Sequence, residues 1–167
     1  MSLREIIQQD LNEAVKKENE LKRSVLRMVL AAIISKEKEK RYKVATKETG
    51  IAEEDLVKKS RLSEEELIGL VFSEAKKRKE SIVEFEKGKR QDLVEKETKE
   101  LEILKKYLPE PISEKEIAKM AQEVISRIGA SSQKDMGRVL GELMPKFKGK
   151  AEGGVVSKIV KDLLIKT

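Results

Sequence analysis

The sequence predicts an all-α protein. Apolar residues recur at three- and four-residue spacing along nearly the whole chain, S-x-x-E pairs stand where such runs begin, and no stretch alternates polar and apolar residues as a half-buried strand would. Charged residues make up 41% of the 167 and hydrophobic ones 38%, but the apolar part is mostly Leu, Ile, Val and Met in helical register. The charge therefore decorates helices and does not signal disorder.

Ser2 with Glu5 has capping-box spacing and opens a first helix with Leu3, Ile6, Ile7, Leu11, Ala14 and Val15 on one face. The pattern resets at Glu18 to Glu20. A broad stripe of Leu21, Val25, Leu26, Met28, Val29, Ala32 and Ile33 then carries a second helix to about Lys40 and asks for cover from two sides. Between Arg41 and Leu62 the periodicity fades and Gly50 interrupts it. A frayed end and a loop are expected there, with Ile51, Leu56 and Val57 in a short extra helix.

Ser63 with Glu66 repeats the box, and Leu67, Leu70, Val71, Ala75, Ile82 and Phe85 carry a third helix to Gly88, a fitting C-terminal cap. Lys76, Lys77, Arg78 and Lys79 lie within it. Four successive helical positions sweep round the axis, so these cations read as solvated surface with Glu74, Glu80 and Glu84 as partners. Asp92 with Glu95 starts a fourth helix, bearing Val94, Leu101, Leu104 and Leu108, which Pro109 stops. Pro109 and Pro111 bracket Glu110 and divide the chain into an antiparallel helical domain at 1–110 and a small three-helix domain at 111–167.

In the second part, Ser113 and Glu116 begin a helix bearing Ile117, Met120, Ala121, Val124 and Ile128 that ends at Gly129. Ser132 with Asp135 begins the next, with Met136, Val139, Leu140, Leu143 and Met144 facing inward until Pro145. The last holds Val155, Val156, Ile159, Val160, Leu163 and Leu164.

The chain has no Cys, which excludes disulfides, thiol nucleophiles and zinc–thiolate sites, and no His, which removes the commonest neutral-pH base and metal ligand. No Asp or Glu stands alone in an apolar run. Glu5, Glu66, Glu95 and Glu116 read as capping carboxylates, and the serines mostly precede helices. G-x-S-x-G, the phosphate loop G-x-x-x-x-G-K-[ST] and G-x-G-x-x-G do not occur. Neither an autonomous active site nor a metal or other cofactor is expected. MSLREIIQQD has no leader-like apolar stretch and no segment approaches the roughly 18 apolar residues of a membrane span, so a cytoplasmic protein without a membrane partner is the expectation.

Charge is distributed unevenly: residues 1–111 hold 26 cations and 24 anions, whereas residues 112–167 hold 11 and 7, concentrating the surplus in one third of the chain. Lys134, Arg138, Lys146, Lys148 and Lys150 face only Asp135 and Glu142, and the last three flank Phe147 and Gly149 in a loop leading to a helix start near Gly153 and Gly154. Such a loop suits a phosphate, because a helix N-terminus offers free N–H groups and partial positive charge. An ordinary solvated loop has the same composition. Gly137 and Gly141, one turn apart, each cost a helix roughly 1 kcal/mol relative to Ala, which points to something lying close. Another helix of the same domain is the leading reading, and a ligand backbone such as the ribose-phosphate of RNA is the other.

The stretch Asp135 to Gly154, DMGRVLGELMPKFKGKAEGG, followed by Val156, Val160, Lys161 and Leu164, resembles the signature of the GatB/YqeY family. RSVLRMVLAAI from Arg23 to Ile33, ESIVEFEKGKRQDLVEKETKELEILKKYLP from Glu80 to Pro109, and GASSQKDMG extend the resemblance to YqeY-like proteins, in the same order, over nearly the whole chain. It implies an N-terminal helical domain followed by one similar to the tail of the GatB subunit of glutamine-dependent aminoacyl-tRNA amidotransferase, which contacts tRNA away from the reacting end. The family is associated with carbon–nitrogen ligase activity using glutamine as amido donor, but nothing in this chain resembles the catalytic parts of that enzyme.

Gly137, Gly141, Met144, Lys146, Lys148, Gly149, Lys150 and Ala151 match the tail motif. In this chain Glu152 stands where the family often has Asp or Asn, and the stretch between Lys40 and Ser63 is longer than in many relatives. With the charge distribution, the resemblance implies that Lys134, Arg138, Lys146, Lys148 and Lys150 bind the phosphates of tRNA or another structured RNA, while Gly137, Gly141 and Gly149 admit its backbone. Amidotransferase or aminoacyl-tRNA synthetase subunits are the implied protein partners, and DNA is not expected. The competing expectation is a protein-interaction module without nucleic-acid binding.

Overall fold

The computed structural model describes residues 1–165, which contain eight α-helices and no strand. They group into two compact units, Met1–Leu108 and Pro109–Thr167.

In the first unit α1 (Leu3–Lys16), α2 (Glu20–Lys47), α4 (Glu64–Lys87) and α5 (Gln91–Lys105) bury a common core, and the short α3 (Glu53–Ser60) packs on α2. Ile7, Leu11, Val25, Leu26, Val29, Ile33, Leu67, Val71, Leu101 and Leu104 form its centre. Ser2 and Ser63 make capping boxes with Glu5 and Glu66, as their spacing predicts. The carboxylates are thereby held below their ordinary range, Glu5 chiefly by the Ser2 N–H and Glu66 chiefly by the Lys40 ammonium.

Several expectations change once the helices pack. Ile6 and Val15 flank the buried line Ile7–Leu11–Ala14 and stay partly exposed, and α2 runs seven residues past Lys40. Asp92 does not cap α5. The helix begins at Gln91, and Asp92 inside its first turn accepts two bonds from the Arg90 guanidinium, at 3.0 and 2.9 Å, so Glu95 has no cap to close. Gly88 ends α4 at φ −78, and the left-handed residue is Lys89, at φ 55.

Two charged side chains turn inward against expectation. Arg78 follows Val71 and Ala75 on the buried line of α4, so of the four consecutive cations it faces α5, where it meets Glu97 at 3.2 Å and the buried Glu100 at 2.9 Å. Met28, expected in the core, lies at the edge of α2 with its sulfur accepting from Arg78 Nη2 at 3.3 Å. Lys76 and Lys77 pair along the helix with Glu80 and Glu74 as predicted.

The second unit wraps α6 (Glu114–Ile128), α7 (Met136–Leu143) and α8 (Gly153–Ile165) round Ile117, Ala121, Val124, Val139, Leu143, Phe147, Val156 and Val160. Single 3₁₀ turns at Gln133–Asp135 and Met144–Phe147 flank α7. Ser113 and Glu116 make a third capping box, and Gly129 caps α6 in the left-handed conformation. Met144, expected inside, is 41% exposed.

Candidate nucleic-acid interface

The basic segment is built outward from its buried residues. Val139 and Leu143, four apart on α7, are fully buried, which places Gly137, Arg138 and Gly141 on the exposed side of the helix, with Lys134 exposed one turn before. A Cβ placed on Gly137 or Gly141 would meet nothing within 4 Å. Among the described residues of this unit no helix packs against the pair as expected, and this face of α7 is bare within the unit.

Beyond α7 the chain alternates. Lys146, Lys148 and Lys150 are exposed, while Phe147 and Gly149 between them are buried. Phe147 anchors the loop in the core, and its carbonyl accepts the N–H groups of Lys150 and Ala151 at 2.9 and 3.1 Å. The Lys150 carbonyl accepts from Ile112 at 3.1 Å. These ties fix the backbone, so the three lysines project outward from a scaffold that is already ordered. Gly149 has φ +76, where a Cβ is strained. Its duty is conformational, and because it is buried it offers no surface for a ligand backbone to approach, contrary to expectation.

Four residues beyond Gly149, α8 begins at Gly153, whose missing side chain leaves room for Met144: its methyl carbon lies 2.8 Å from where a Cβ would sit. Gly154 is exposed with open space above it. The 3₁₀ turn carrying Lys134 packs against α8, so two basic stretches distant in sequence border the same helix.

The acidic residues expected to offset these cations are engaged. Asp135 accepts from the Ser131 and Ser132 N–H groups at 3.1 and 3.2 Å and pairs with Arg138 at 3.5 Å, and the Ser131 N–H is the main reason its carboxyl titrates below the ordinary range. Glu142 pairs with Arg127 of α6. Sequence reasoning missed that pair, because no local spacing links residues fifteen apart. Lys146 and Lys150 make no ion pair among the described residues. Among the described residues no group of three Asp or Glu is placed to hold a metal ion, and no helix is long and apolar enough to cross a membrane.

Residues 34–164 match the model of the family described as Yqey-like protein. The fungal protein "Altered inheritance of mitochondria protein 41, mitochondrial", from Pyrenophora tritici-repentis (strain Pt-1C-BFP), is 27% identical over 161 residues, covering 95% of this chain and 78% of the relative.

Proposed function

This chain belongs to the Yqey-like protein family, and from that premise we propose that its C-terminal unit binds tRNA or another structured RNA through phosphate. The observation carrying this reading is the alternation from Lys146 to Lys150, in which buried Phe147 and Gly149 aim three lysines into solvent just ahead of the α8 N-terminus. Lys134 and Arg138 extend the positive surface, and bare Gly137 and Gly141 let a ribose-phosphate strand lie against α7. Lysines at a helix start carry no base-edge code, so recognition is of shape and charge.

The module acts beside an amidotransferase or aminoacyl-tRNA synthetase, consistent with the resemblance of its tail to GatB, and lends RNA binding to carbon–nitrogen ligase chemistry performed elsewhere. Residence in the cytoplasm belongs to the same reading. The fungal relative carries mitochondria in its name, and fractionation decides the compartment for this chain.

Titration of purified protein with individual tRNAs at two salt concentrations tests the proposal, with Lys146, Lys148 and Lys150 together replaced by Ala as control. Saturable, salt-sensitive binding lost in the variant supports it. Binding no better than to an arbitrary polyanion overturns it in favour of a protein-interaction module, for which the half-exposed Met144 beside the bare face of α7 is the specific observation.

A further inference from the structure

We propose that a basic, partly apolar cavity in the N-terminal unit binds a phosphate-bearing small molecule with a flat or apolar body, such as a mononucleotide. The cavity is about 280 Å³ and is lined by residues of α1, α2, α3 and the turn after α3. That is just below the range of about 300–1,000 Å³ typical of small-molecule sites.

Ile34, Glu37, Lys38 and Arg41 supply its α2 wall. Their spacing of three and four places them on one side of the helix, while Val29 and Ile33 are buried in the core. Arg4, Val57, Ser60 and Arg61 complete the outline.

Two features define the ligand. The first is unbalanced charge. Glu37 is the only carboxylate in the lining, and it is consumed by Arg4 at 2.6 Å and by the Leu62 N–H at 3.2 Å, with little of its side chain exposed. Arg41 pairs with Glu53. Lys38 and Arg61 remain, exposed and with no side-chain hydrogen bond or ion pair among the described residues. The Lys40 ammonium holds the Arg61 carbonyl at 3.0 Å, so the residue bearing that guanidinium is fixed at the cavity's edge. Two uncompensated cations match a phosphate dianion better than a single carboxylate, and the guanidinium fork binds phosphate in bidentate fashion.

The second feature is apolar surface in the same cavity. Ile34 and Val57 are 47% and 36% exposed, and lying among cations they would be covered by a hydrophobic or flat group carried by the anion. A bare phosphate would satisfy the cations and leave this surface wet, so the two features together select an amphiphilic phosphate ester.

The test is titration of the ¹⁵N-labelled full chain with AMP at constant ionic strength, beside inorganic phosphate and adenosine. Saturable shifts centred on Ile34, Lys38, Val57 and Arg61 are expected, with AMP binding at least tenfold tighter than either fragment. The Lys38→Ala/Arg61→Ala variant should weaken AMP at least tenfold, whereas Ile34→Ser should weaken AMP and leave inorganic phosphate unchanged. These side chains are exposed, and the same spectra verify that each variant is folded. Shifts elsewhere, no saturation, or phosphate binding as tightly as AMP would overturn the proposal. The RNA titration interrogates other residues in the other unit, so either proposal can fail alone.

Discussion

Arg78 on α4 and Glu100 on α5 form an ion pair at 2.9 Å, with 17% and 9% of their side chains exposed. Glu97 adds a second carboxylate at 3.2 Å, and the Arg78 Nε is buried without a hydrogen-bond partner. A pair taken this far out of water gains much of its attraction only to repay desolvation, but removing one partner strands the other. Arg78→Met, which leaves Glu97 and Glu100 without their shared cation, is expected to destabilise the N-terminal unit by about 3 kcal/mol, read as a lower urea midpoint. Arg78→Met combined with Glu97→Gln and Glu100→Leu should recover most of that loss. A midpoint unchanged by the single substitution would mean that water screens the pair.

Tyr107, just beyond α5, donates its hydroxyl to Asp10 of α1, and Lys22 sits 3.2 Å from the same carboxylate. Burial raises the Asp10 pKa, but the bonds from Tyr107 and Lys22 together outweigh it and the net shift is downward. Burial, followed by the bond to Asp10, pushes the Tyr107 phenol well above its ordinary 10.0. A depressed carboxyl contributes stability that is present above its unfolded pKa and lost as pH falls through the folded value. A raised phenol contributes stability present below its unfolded pKa and lost as pH climbs past 10. Tyr107→Phe should therefore cost about 1–2 kcal/mol near neutrality and flatten the alkaline limb of a stability–pH curve. An alkaline limb identical to the parent's would show that another group produces it.

Gly141 and Gly149 should respond oppositely to alanine. Gly141 is helical with open space above it, so Gly141→Ala is expected to stabilise by about 0.5–1 kcal/mol. Gly149 is left-handed, and Gly149→Ala should cost about 1–2 kcal/mol. Thermal melts check both. If RNA lies on α7, the stabilised Gly141→Ala variant should bind it more weakly, and undiminished affinity would move the RNA off that face.

For the basic loop, the slope of log affinity against log salt is more informative than affinity at one condition. Each lysine seated on a phosphate accounts for a slope of about one, so removing Lys146, Lys148 and Lys150 should reduce it by about three. A drop in affinity with an unchanged slope would implicate loop distortion and not phosphate contact.

Much of this protein was legible because helices are local objects. Three serine–glutamate boxes, the glycine cap of α6 and the spacing of Leu, Ile and Val are relations within about four residues, and the structure keeps them. The outward lysines around Phe147 were half legible: composition marked the loop, but only packing showed that Phe147 and Gly149 are the inward members. Gly137 and Gly141 misled because helix packing and bare surface put the same residues in sequence.

By itself the sequence determined the helical class, the three helix starts marked by serine–glutamate boxes and the concentration of positive charge near the C-terminus, since propensity, capping and charge act over a turn or less. The tertiary structure decided which charges enter the interior and which gather round a cavity. Arg78 finds Glu100, Arg127 finds Glu142, and Arg4 and Arg61 come to line one cavity through the docking of helices. Their separation along the chain carries no record of that proximity, because burial and pairing across helices depend on how whole faces meet.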